Sequence, residues 1–236
     1  MTSDLGLPSF EHVLEEAKKG VDALIVVSGG IDSAYCLWKY SQVVTDRPIY
    51  LHHLDMYPSK SKRIDVENTA LSYQMNYLKR DFRLISSVVD TSDPDSYLMT
   101  DWVLTATLTT GLAQKYGTRY IVVGDDLPDS YHRAQEYNTI KPRKKHMYAA
   151  TGELIKWASH GKVELCTASE TPNLSEAYNE MPDDYIALTT SCREPERGSV
   201  MYRQCGKCFS CFKNMHFGWW DRIGKEIRIP TDGSTD

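Results

Sequence analysis

The stretch from Ala23 to Lys39, ALIVVSGGIDSAYCLWK, decides the fold of this chain. Residues 23–27 are small, aliphatic or β-branched, which is typical of a strand buried on both faces. The strand stops at Ser28-Gly29-Gly30, and an apolar run follows from Tyr35 to Trp38, for which Asp32 and Ser33 are predicted to cap a helix. The glycines therefore lie between a strand end and a helix N-terminus.

A glycine turn in this place is suited to binding an anion. Glycine lets the backbone approach a phosphate closely, the N–H groups of the first helical turn point at it, and the helix dipole adds partial positive charge. The alternative is a tight turn without a ligand, which two glycines also satisfy. A Walker loop is excluded, because no lysine follows the glycines at the GxxxxGKS/T spacing.

The string SGGIDS at residues 28–33 resembles the pyrophosphate-binding loop of the N-type ATP pyrophosphatases. That family includes GMP synthetase, NAD synthetase and several tRNA- and base-modifying enzymes. The resemblance implies that this loop binds the phosphates of ATP. The nucleotide ligands that it implies are Val27, Ser28, Gly29, Gly30, Ile31, Asp32 and Ser33.

The composition of the 236 residues is that of a folded domain, with 41% hydrophobic and 25% charged residues. No apolar run approaches the ~20 residues that cross a bilayer, and the N-terminus lacks a signal-peptide pattern, so we expect a cytoplasmic protein. The net charge of −5 does not favour nucleic acid. Basic clusters at Ser59–Arg63 and Lys141–Lys145 are solvated faces or local contacts to phosphate or RNA.

Strand and helix patterns alternate along the first part of the chain, which predicts an α/β fold: an open, mainly parallel sheet with helices on both faces. We expect this domain to span residues 1–185 and a cysteine module to span 186–236. Residues 127–150 show little periodicity and are predicted to form a mobile loop, with a lid as one role. Helices are predicted at 7–20, 65–78 and 102–116, and further strands at 48–55, 83–89 and 120–123.

Two strand ends supply further candidate site residues, because ligands gather at the carboxyl edge of a parallel sheet. His53 to Tyr57 are candidates for holding the adenosine, and the alternative for His52 and His53 is a strand position with an exposed face. Gly124 and the Asp125-Asp126 pair follow the strand at 120–123. The carboxylates are candidates for Mg²⁺ or substrate, or for capping the next turn.

Four cysteines are concentrated near the C-terminus. Cys205, Cys208 and Cys211 form CxxCxxC, and Cys192 lies upstream. Four thiolates with short spacing match a closed, structural zinc site. An iron–sulfur cluster and a redox nucleophile are the alternatives. The two remaining cysteines, at 36 and 166, are predicted to be buried packing residues.

Both ends of the chain together resemble the 7-cyano-7-deazaguanine synthases. In that family an SGGxDS loop is joined to a later Cys and CGxCxxC, and Cys192 with CGKCFSC fits the order and spacing. The Glu170-Thr171-Pro172 segment is also similar. The chain departs from the family at Asp55–Ser59, where a YGQ-type motif is usual, and at Met99–Trp102, where an Arg-Asn pair is usual.

The resemblance implies an ATP-dependent ligase that uses Mg²⁺, ammonia and the carboxylate of 7-carboxy-7-deazaguanine or a related acid. Ser28, Asp32, Ser33 and Asp125 are the implied catalytic residues, with zinc on the four cysteines, and a homodimer is implied. The alternatives are an amidating enzyme for another acid, a tRNA-thiolating enzyme and a non-catalytic nucleotide-binding protein.

Overall fold

The structure, a computed structural model, describes residues 6–57, 63–90, 101–124, 134–168, 178–192, 194–216 and 218–228. Five parallel strands form the main sheet: β1 (Ala23–Val27), β2 (Ile49–Tyr57), β3 (Phe82–Asp90), β4 (Tyr120–Val123) and β5 (Glu164–Thr167). The helices that accompany it are α1 (Phe10–Lys18), α2 (Ile31–Val43), α3 (Arg63–Leu78), α4 (Asp101–Tyr116) and α5 (Ala134–Ala158). The α/β fold expected from the sequence is confirmed.

The main sheet has the strand order β3-β2-β1-β4-β5, with β1 in the centre. β1 pairs with β2 on one side and with β4 on the other, so that Val26 lies between His52 and Val123. Because the strand order reverses direction at β1, the carboxyl ends of β1 and β4 form the crevice in which open α/β sheets bind ligands.

Alternate residues of β1 enter two different cores. Ala23, Ile25 and Val27 pack with apolar residues of α1 and α2. Leu24 packs with residues of α4 and α5, including Tyr148. Burial on both faces explains why the strand is continuously apolar instead of alternating.

The C-terminal part adds short elements around the cysteines. They comprise a 3₁₀ turn (Tyr178–Glu180), α6 (Asp183–Ile186), α7 (Phe209–His216), and a three-stranded antiparallel sheet of β6 (Glu196–Arg197), β7 (Met201–Arg203) and β8 (Glu226–Arg228). This small sheet contacts the main domain, because Tyr202 and Ile227 pack on Val66 and Ala70 of α3. Among the described residues, no helix is both long and apolar enough to cross a membrane.

Most of the predicted elements are present with shifted ends. Ser9 caps α1 as expected, through a hydrogen bond from the His12 N–H to its side chain at 3.2 Å. The strand predicted at 120–123 has those bounds, and Cys36 and Cys166 are fully buried as predicted. The strand β5 was not predicted.

The prediction of a loop for residues 127–150 is wrong from Ala134 onward, where α5 begins. Its C-terminal half is anchored in the core by Tyr148 and Ile155, which lie two helical turns apart. The predicted loop stops at residue 150, before Ile155. It therefore contains only one of these two core residues, and the helical spacing between them is not visible within it. Pro142, a signal for a break, lies inside the helix.

Candidate functional site

The turn after β1 is closed by the side chain of Ser33. The Ser28 N–H donates to Ser33 Oγ at 3.1 Å, and Ser33 Oγ donates to the Gly30 carbonyl at 3.1 Å. The N-cap of α2 is Gly30, which makes no side-chain cap, so the predicted capping by Asp32 and Ser33 is wrong. Those two side chains lie inside the first turn, and the hydroxyl of Ser33 is used to fold the loop back on itself.

Gly29 has a conformation and a neighbour that both require glycine. Its φ is +73°, in the left-handed region. A Cβ atom at this position would lie 2.8 Å from the carbonyl oxygen of Glu67 in α3. The backbone of α3 therefore lies directly against the turn.

Gly124 closes the loop from the side of β4. A Cβ atom here would lie 2.5 Å from the carbonyl oxygen of Asp32 and 2.8 Å from the nitrogen of Ser33. The end of β4 thus contacts the first turn of α2 backbone to backbone. The turn that follows β1 and the end of β4 are therefore held together through the start of α2.

The carbonyl oxygen of Gly29 accepts two hydrogen bonds from distant parts of the chain. The backbone N–H of Thr190 donates to it at 2.9 Å, and Gln74 Nε2 donates to it at 2.9 Å. Gln74 is 1% exposed and also reaches the carbonyl of Leu188 at 3.3 Å. These bonds fix the orientation of the peptide that follows Gly29.

Thr190 brings a second polar group to the same place. Its Oγ1 is buried and makes no hydrogen bond within the described part of the chain. Its carbonyl oxygen lies 3.4 Å from the position that a Cβ atom of Gly30 would occupy. A buried hydroxyl without a partner costs about 1–3 kcal/mol, which a ligand or a water molecule at this place would offset.

Asp32 accepts a hydrogen bond from a residue 146 positions later in the chain. The hydroxyl of Tyr178 donates to Asp32 Oδ1, and Tyr178 is 2% exposed. No sequence signal pointed to this tyrosine.

His52 and His53 are both buried, so the expectation of an exposed strand face is wrong for both. His52 points into the α4 side, where its ring nitrogens lie 2.7 Å from Thr109 Oγ1 and 2.9 Å from Ser87 Oγ. Burial, and to a lesser extent the neighbouring His53, lowers the pKa of His52 to about 4. His52 is buried because α4 packs on this face of β2, where Thr109 contacts the imidazole.

His53 braces the strand end that carries the glycine turn. Its Nδ1 carries a proton, because it lies 2.7 Å from the Val27 carbonyl, which can only accept. Its Nε2 lies 3.2 Å from Asp55 Oδ1, without the alignment of a hydrogen bond. His53 is 1% exposed, and its side chain supports Val27 in this structure.

The start of α3 adds charged groups next to this edge. Arg63 Nε donates to Glu67 Oε1 at 2.6 Å, and Asn68 Nδ2 donates to Asp55 Oδ1 at 3.2 Å. Burial raises the pKa of Glu67, and the Arg63 guanidinium opposes that shift. The sheet edge beside the loop therefore carries two carboxylates, Glu67 and Asp55, that already have partners within the protein: Arg63 for Glu67 and Asn68 for Asp55.

The four C-terminal cysteines converge on one point. The Sγ atoms of Cys192, Cys205, Cys208 and Cys211 all lie within 4.8 Å of one another. The Cys208–Cys211 distance is 3.5 Å and the Cys205–Cys211 distance is 4.0 Å. A tetrahedral ion with bonds of about 2.3 Å to sulfur needs sulfur atoms about 3.8 Å apart, so this set fits a single metal ion.

Backbone N–H groups point at these sulfur atoms. The N–H of Cys205 donates to Cys192 Sγ at 3.2 Å, and the N–H of Cys208 donates to Cys205 Sγ at 3.3 Å. Gly206 has a φ of +69°, which makes this turn possible. Hydrogen bonds from the Cys211 thiol and then from backbone N–H groups lower the pKa of Cys192 to about 5. The cluster therefore favours a thiolate at Cys192, whereas the contact with Cys192 raises the pKa of Cys211 and burial raises the pKa of Cys205.

The cysteine cluster and the glycine turn are neighbours in the chain fold. Cys192 follows Thr190, which is bonded to Gly29. The N–H of Gly224 donates to the carbonyl of Thr189 at 3.1 Å, and a Cβ atom on Gly224 would lie 2.4 Å from the carbonyl of Ala187. Segment 187–192 is therefore held between the turn and the C-terminal module.

Comparison with solved structures finds chains with a similar chain path, one of which is described below. No family model matches the chain, and no curated protein matches its sequence. The chain is similar to the U34-tRNA thiolase NcsA from Methanococcus maripaludis, solved with its 4Fe–4S cluster. The TM-score is 0.49 and the sequence identity 12%, over 90% of this chain and 72% of that chain.

The structure brings together most of the residues singled out in the sequence. Residues 27–33, Gly124 and His53 meet at one edge of the sheet, and the four cysteines meet at one point. Asp125, Asp126, Pro58 to Lys62, Met99 to Thr100 and the Glu170-Thr171-Pro172 segment lie outside the described residues. The side chains at 141–145 do as well. Gln74, Tyr178 and Thr190 were missed, because nothing in their own neighbourhoods marks them as parts of a loop far away in the sequence.

Proposed function

We propose that this protein is an ATP-dependent ligase that forms AMP and pyrophosphate. The observation that carries the proposal is the turn at residues 28–30. It lies at the crevice between β1 and β4, with the helix N-terminus of α2 behind it and Gly124 packed against that helix. This arrangement supports the binding of a phosphate chain by backbone N–H groups.

The substrate that we propose is the carboxylate of 7-carboxy-7-deazaguanine or a related acid. A carboxylate oxygen attacks the α-phosphorus of ATP, the bond from that phosphorus to the bridging oxygen breaks, and pyrophosphate leaves. Ammonia then attacks the carbonyl carbon, AMP leaves and a proton is lost, which gives the amide. The amide oxygen then attacks the α-phosphorus of a second ATP and pyrophosphate leaves, and loss of AMP and of both protons on the amide nitrogen gives the nitrile.

This chain's residues have positional and electrostatic roles in such a reaction, because adenylation needs alignment and charge neutralisation more than covalent help. Ser28, Gly29, Gly30 and Ser33 line the pyrophosphate position. Asp32 orders the loop or the water shell of Mg²⁺. Mg²⁺ would neutralise the phosphates, and Asp125 is proposed as a further contact to metal or substrate.

Zinc is the metal that we propose for the four cysteines, in a structural role. The sulfur atoms are spaced for one ion. A 4Fe–4S cluster interposes its own iron and sulfide atoms and needs its thiolates farther apart. The same spacing is why we prefer ligation of a carboxylate over tRNA thiolation for this chain. We further propose that the active form is a cytoplasmic homodimer.

The test is AMP release from ATP with Mg²⁺, ammonia and 7-carboxy-7-deazaguanine. We expect acid-dependent release, with two AMP per nitrile, and loss of turnover in Asp32→Ala with its zinc content unchanged. Asp46→Ala is the matched control, because Asp46 is an exposed carboxylate that pairs with Arg47 and lies beyond the C-terminal end of α2, away from the turn. AMP release that is the same with and without the acid would contradict this substrate. One AMP per product would identify an amidating enzyme.

A further inference from the structure

Asp32 occupies a position that ought to weaken a phosphate site. It is the second residue of α2 and follows an N-cap glycine that has no side chain to offer the first-turn N–H groups. A carboxylate in the first turn is attracted to those N–H groups and to the positive end of the helix dipole. An untethered Asp32 would therefore compete with a phosphate for the same donors.

The Asp32 carboxylate is held by a hydrogen bond from outside α2. The hydroxyl of Tyr178 donates to Asp32 Oδ1, and a carboxylate oxygen can only accept, so the bond has one direction. Hydrogen bonds to ionised groups are the stronger class. Because Tyr178 is 2% exposed, water does not replace this bond easily.

The ring of Tyr178 is itself held on two sides. It makes an edge contact with Tyr35 of α2, with ring centroids 5.7 Å apart, and with Trp219, with centroids 5.5 Å apart. The N–H of Trp219 donates to the Asn214 carbonyl at 2.8 Å, in the helix α7 that also carries Cys211. The hydroxyl is therefore positioned by packing against both α2 and the cysteine module.

We infer that Tyr178 is a positioning residue that holds the Asp32 carboxylate away from the N–H groups of the first turn of α2 and so keeps them available for a nucleotide phosphate. The inference rests on the proposed nucleotide site. It adds to that site a residue that acts through Asp32 and does not itself touch the ligand.

The test is a double-mutant cycle read by nucleotide binding. The probe is the Mg²⁺ complex of an ATP analogue with a methylene group between the α- and β-phosphorus. This analogue cannot release pyrophosphate and is therefore not consumed during the measurement. Calorimetry gives its dissociation constant for wild type, Tyr178→Phe, Asp32→Ala and the double variant. Tyr185→Phe is the matched control, because Tyr185 is also fully buried and its hydroxyl donates to the α2 backbone, at the Ala34 carbonyl, at 3.2 Å.

We expect Tyr178→Phe to weaken binding about five- to tenfold and Tyr185→Phe to change it less than twofold. Asp32→Ala should bind the analogue at least as tightly as wild type, and Tyr178→Phe should have no effect in that background, because the competing carboxylate is gone; weaker binding by Asp32→Ala would mean that Tyr178 aims a helpful carboxylate, and would overturn the inference. A purely structural role for Tyr178 would weaken binding equally in both backgrounds, and that result would overturn the inference. So would equal binding by Tyr178→Phe and Tyr185→Phe.

The outcomes separate this inference from the proposed function. Wild-type protein that binds the analogue and shows the expected cycle, but releases no AMP with any acid, would contradict the ligase and leave the role of Tyr178 standing. Wild-type protein that binds the analogue without the cycle would contradict only the role of Tyr178. Wild-type protein that does not bind the analogue would contradict both.

Discussion

The carbonyl oxygen of Gly29 accepts a hydrogen bond from the backbone N–H of Thr190 at 2.9 Å, and Cys192 lies two residues beyond. The central turn of the main sheet is thereby bonded to the segment that ends in a metal ligand. Order in the cysteine cluster and order in the turn are coupled, because a backbone bond of this kind forms only when both segments are in place.

Removal of the metal should weaken nucleotide binding. Without an ion the thiolates repel one another, segment 189–192 loses its anchor, and the bond to Gly29 is lost. We expect the affinity for the methylene ATP analogue to fall about five- to tenfold, since one hydrogen bond is worth about 1 kcal/mol. Calorimetry on chelator-treated, dialysed protein with Mg²⁺ restored measures this change.

Reconstitution with Zn²⁺ should restore the affinity for the analogue. The Cys205→Ser variant should bind the analogue as weakly as the chelator-treated protein does. Cys166→Ala is the control, because it removes a buried thiol from β5 that is not in the cluster. Equal affinity of the metal-free and zinc-loaded proteins would show that the two regions are independent.

Gly124→Ala should destabilise the fold and reduce nucleotide binding together. The added Cβ would lie 2.5 Å from the Asp32 carbonyl, and this neighbour is backbone that cannot rotate away. We expect a loss of about 2–4 kcal/mol in the free energy of unfolding, as for other overpacked sites. Urea denaturation measures it.

Gly111→Ala is the matched control for that substitution. Gly111 is a helical residue of α4, and a Cβ there meets nothing within 4 Å. Replacing a helical glycine by alanine stabilises by about 0.5–1 kcal/mol. A Gly124→Ala protein as stable as wild type would mean that β4 and α2 are not in contact in solution.

Gly29→Ala should cost more stability than Gly117→Ala. Both glycines have φ near +70°, so both substitutions carry the conformational cost of about 1–2 kcal/mol. A Cβ on Gly29 additionally meets the Glu67 carbonyl at 2.8 Å, whereas one on Gly117 meets nothing within 4 Å. The difference between the two free energies of unfolding measures the cost of the contact with the Glu67 carbonyl. Equal values would mean that α3 does not lie against Gly29 in solution.

Acid should destabilise the protein through His52 between about pH 6.5 and pH 4. Above this window the histidine is neutral in both the folded and the unfolded chain and has no effect. As the pH falls, the unfolded chain takes up a proton, and the folded chain does not until about pH 4, because burial lowers the pKa of His52. Stability therefore falls through the window, by about 3 kcal/mol in total, and this contribution levels off below it.

His52→Gln isolates that contribution, because glutamine keeps hydrogen-bonding groups but does not titrate. We expect urea midpoints of the variant to fall less steeply than those of wild type from pH 6.5 to 4.5. Other acid-sensitive groups, the thiolates included, affect both proteins alike. Parallel pH profiles would mean that His52 is protonated within the fold.

The sequence was sufficient for the centre of the molecule and insufficient for what surrounds it. An uninterrupted apolar strand followed by two glycines predicts β1 and its turn, because buried parallel strands and phosphate turns each have a local signature. The spacing of the cysteines likewise predicted that they converge. The burial of His52 did not follow from its type, because its partners Thr109 and Ser87 come from other elements.

The residues that support the turn could not be predicted from the sequence, for the same physical reason. Gln74 lies in a helix and Tyr178 in a short 3₁₀ turn, and each is defined by one hydrogen bond to a residue far away in the chain. Local patterns contain periodicity, capping and turn chemistry, but not which distant carbonyl or carboxylate a buried side chain will meet. The metal identity and the acid substrate lie beyond local patterns as well.

The central position of β1 also governs the order in which the chain reaches its native state. Val26 pairs with His52 nearby in sequence but with Val123 only after α3, β3 and α4 have been passed. Parallel pairing between such distant segments has a large loop-closure cost and forms slowly. A chain with only β1 and β2 paired contains the glycine turn but lacks Gly124 beside it and Thr190 across it. Nucleotide binding during refolding should therefore appear only after β4 has paired with β1.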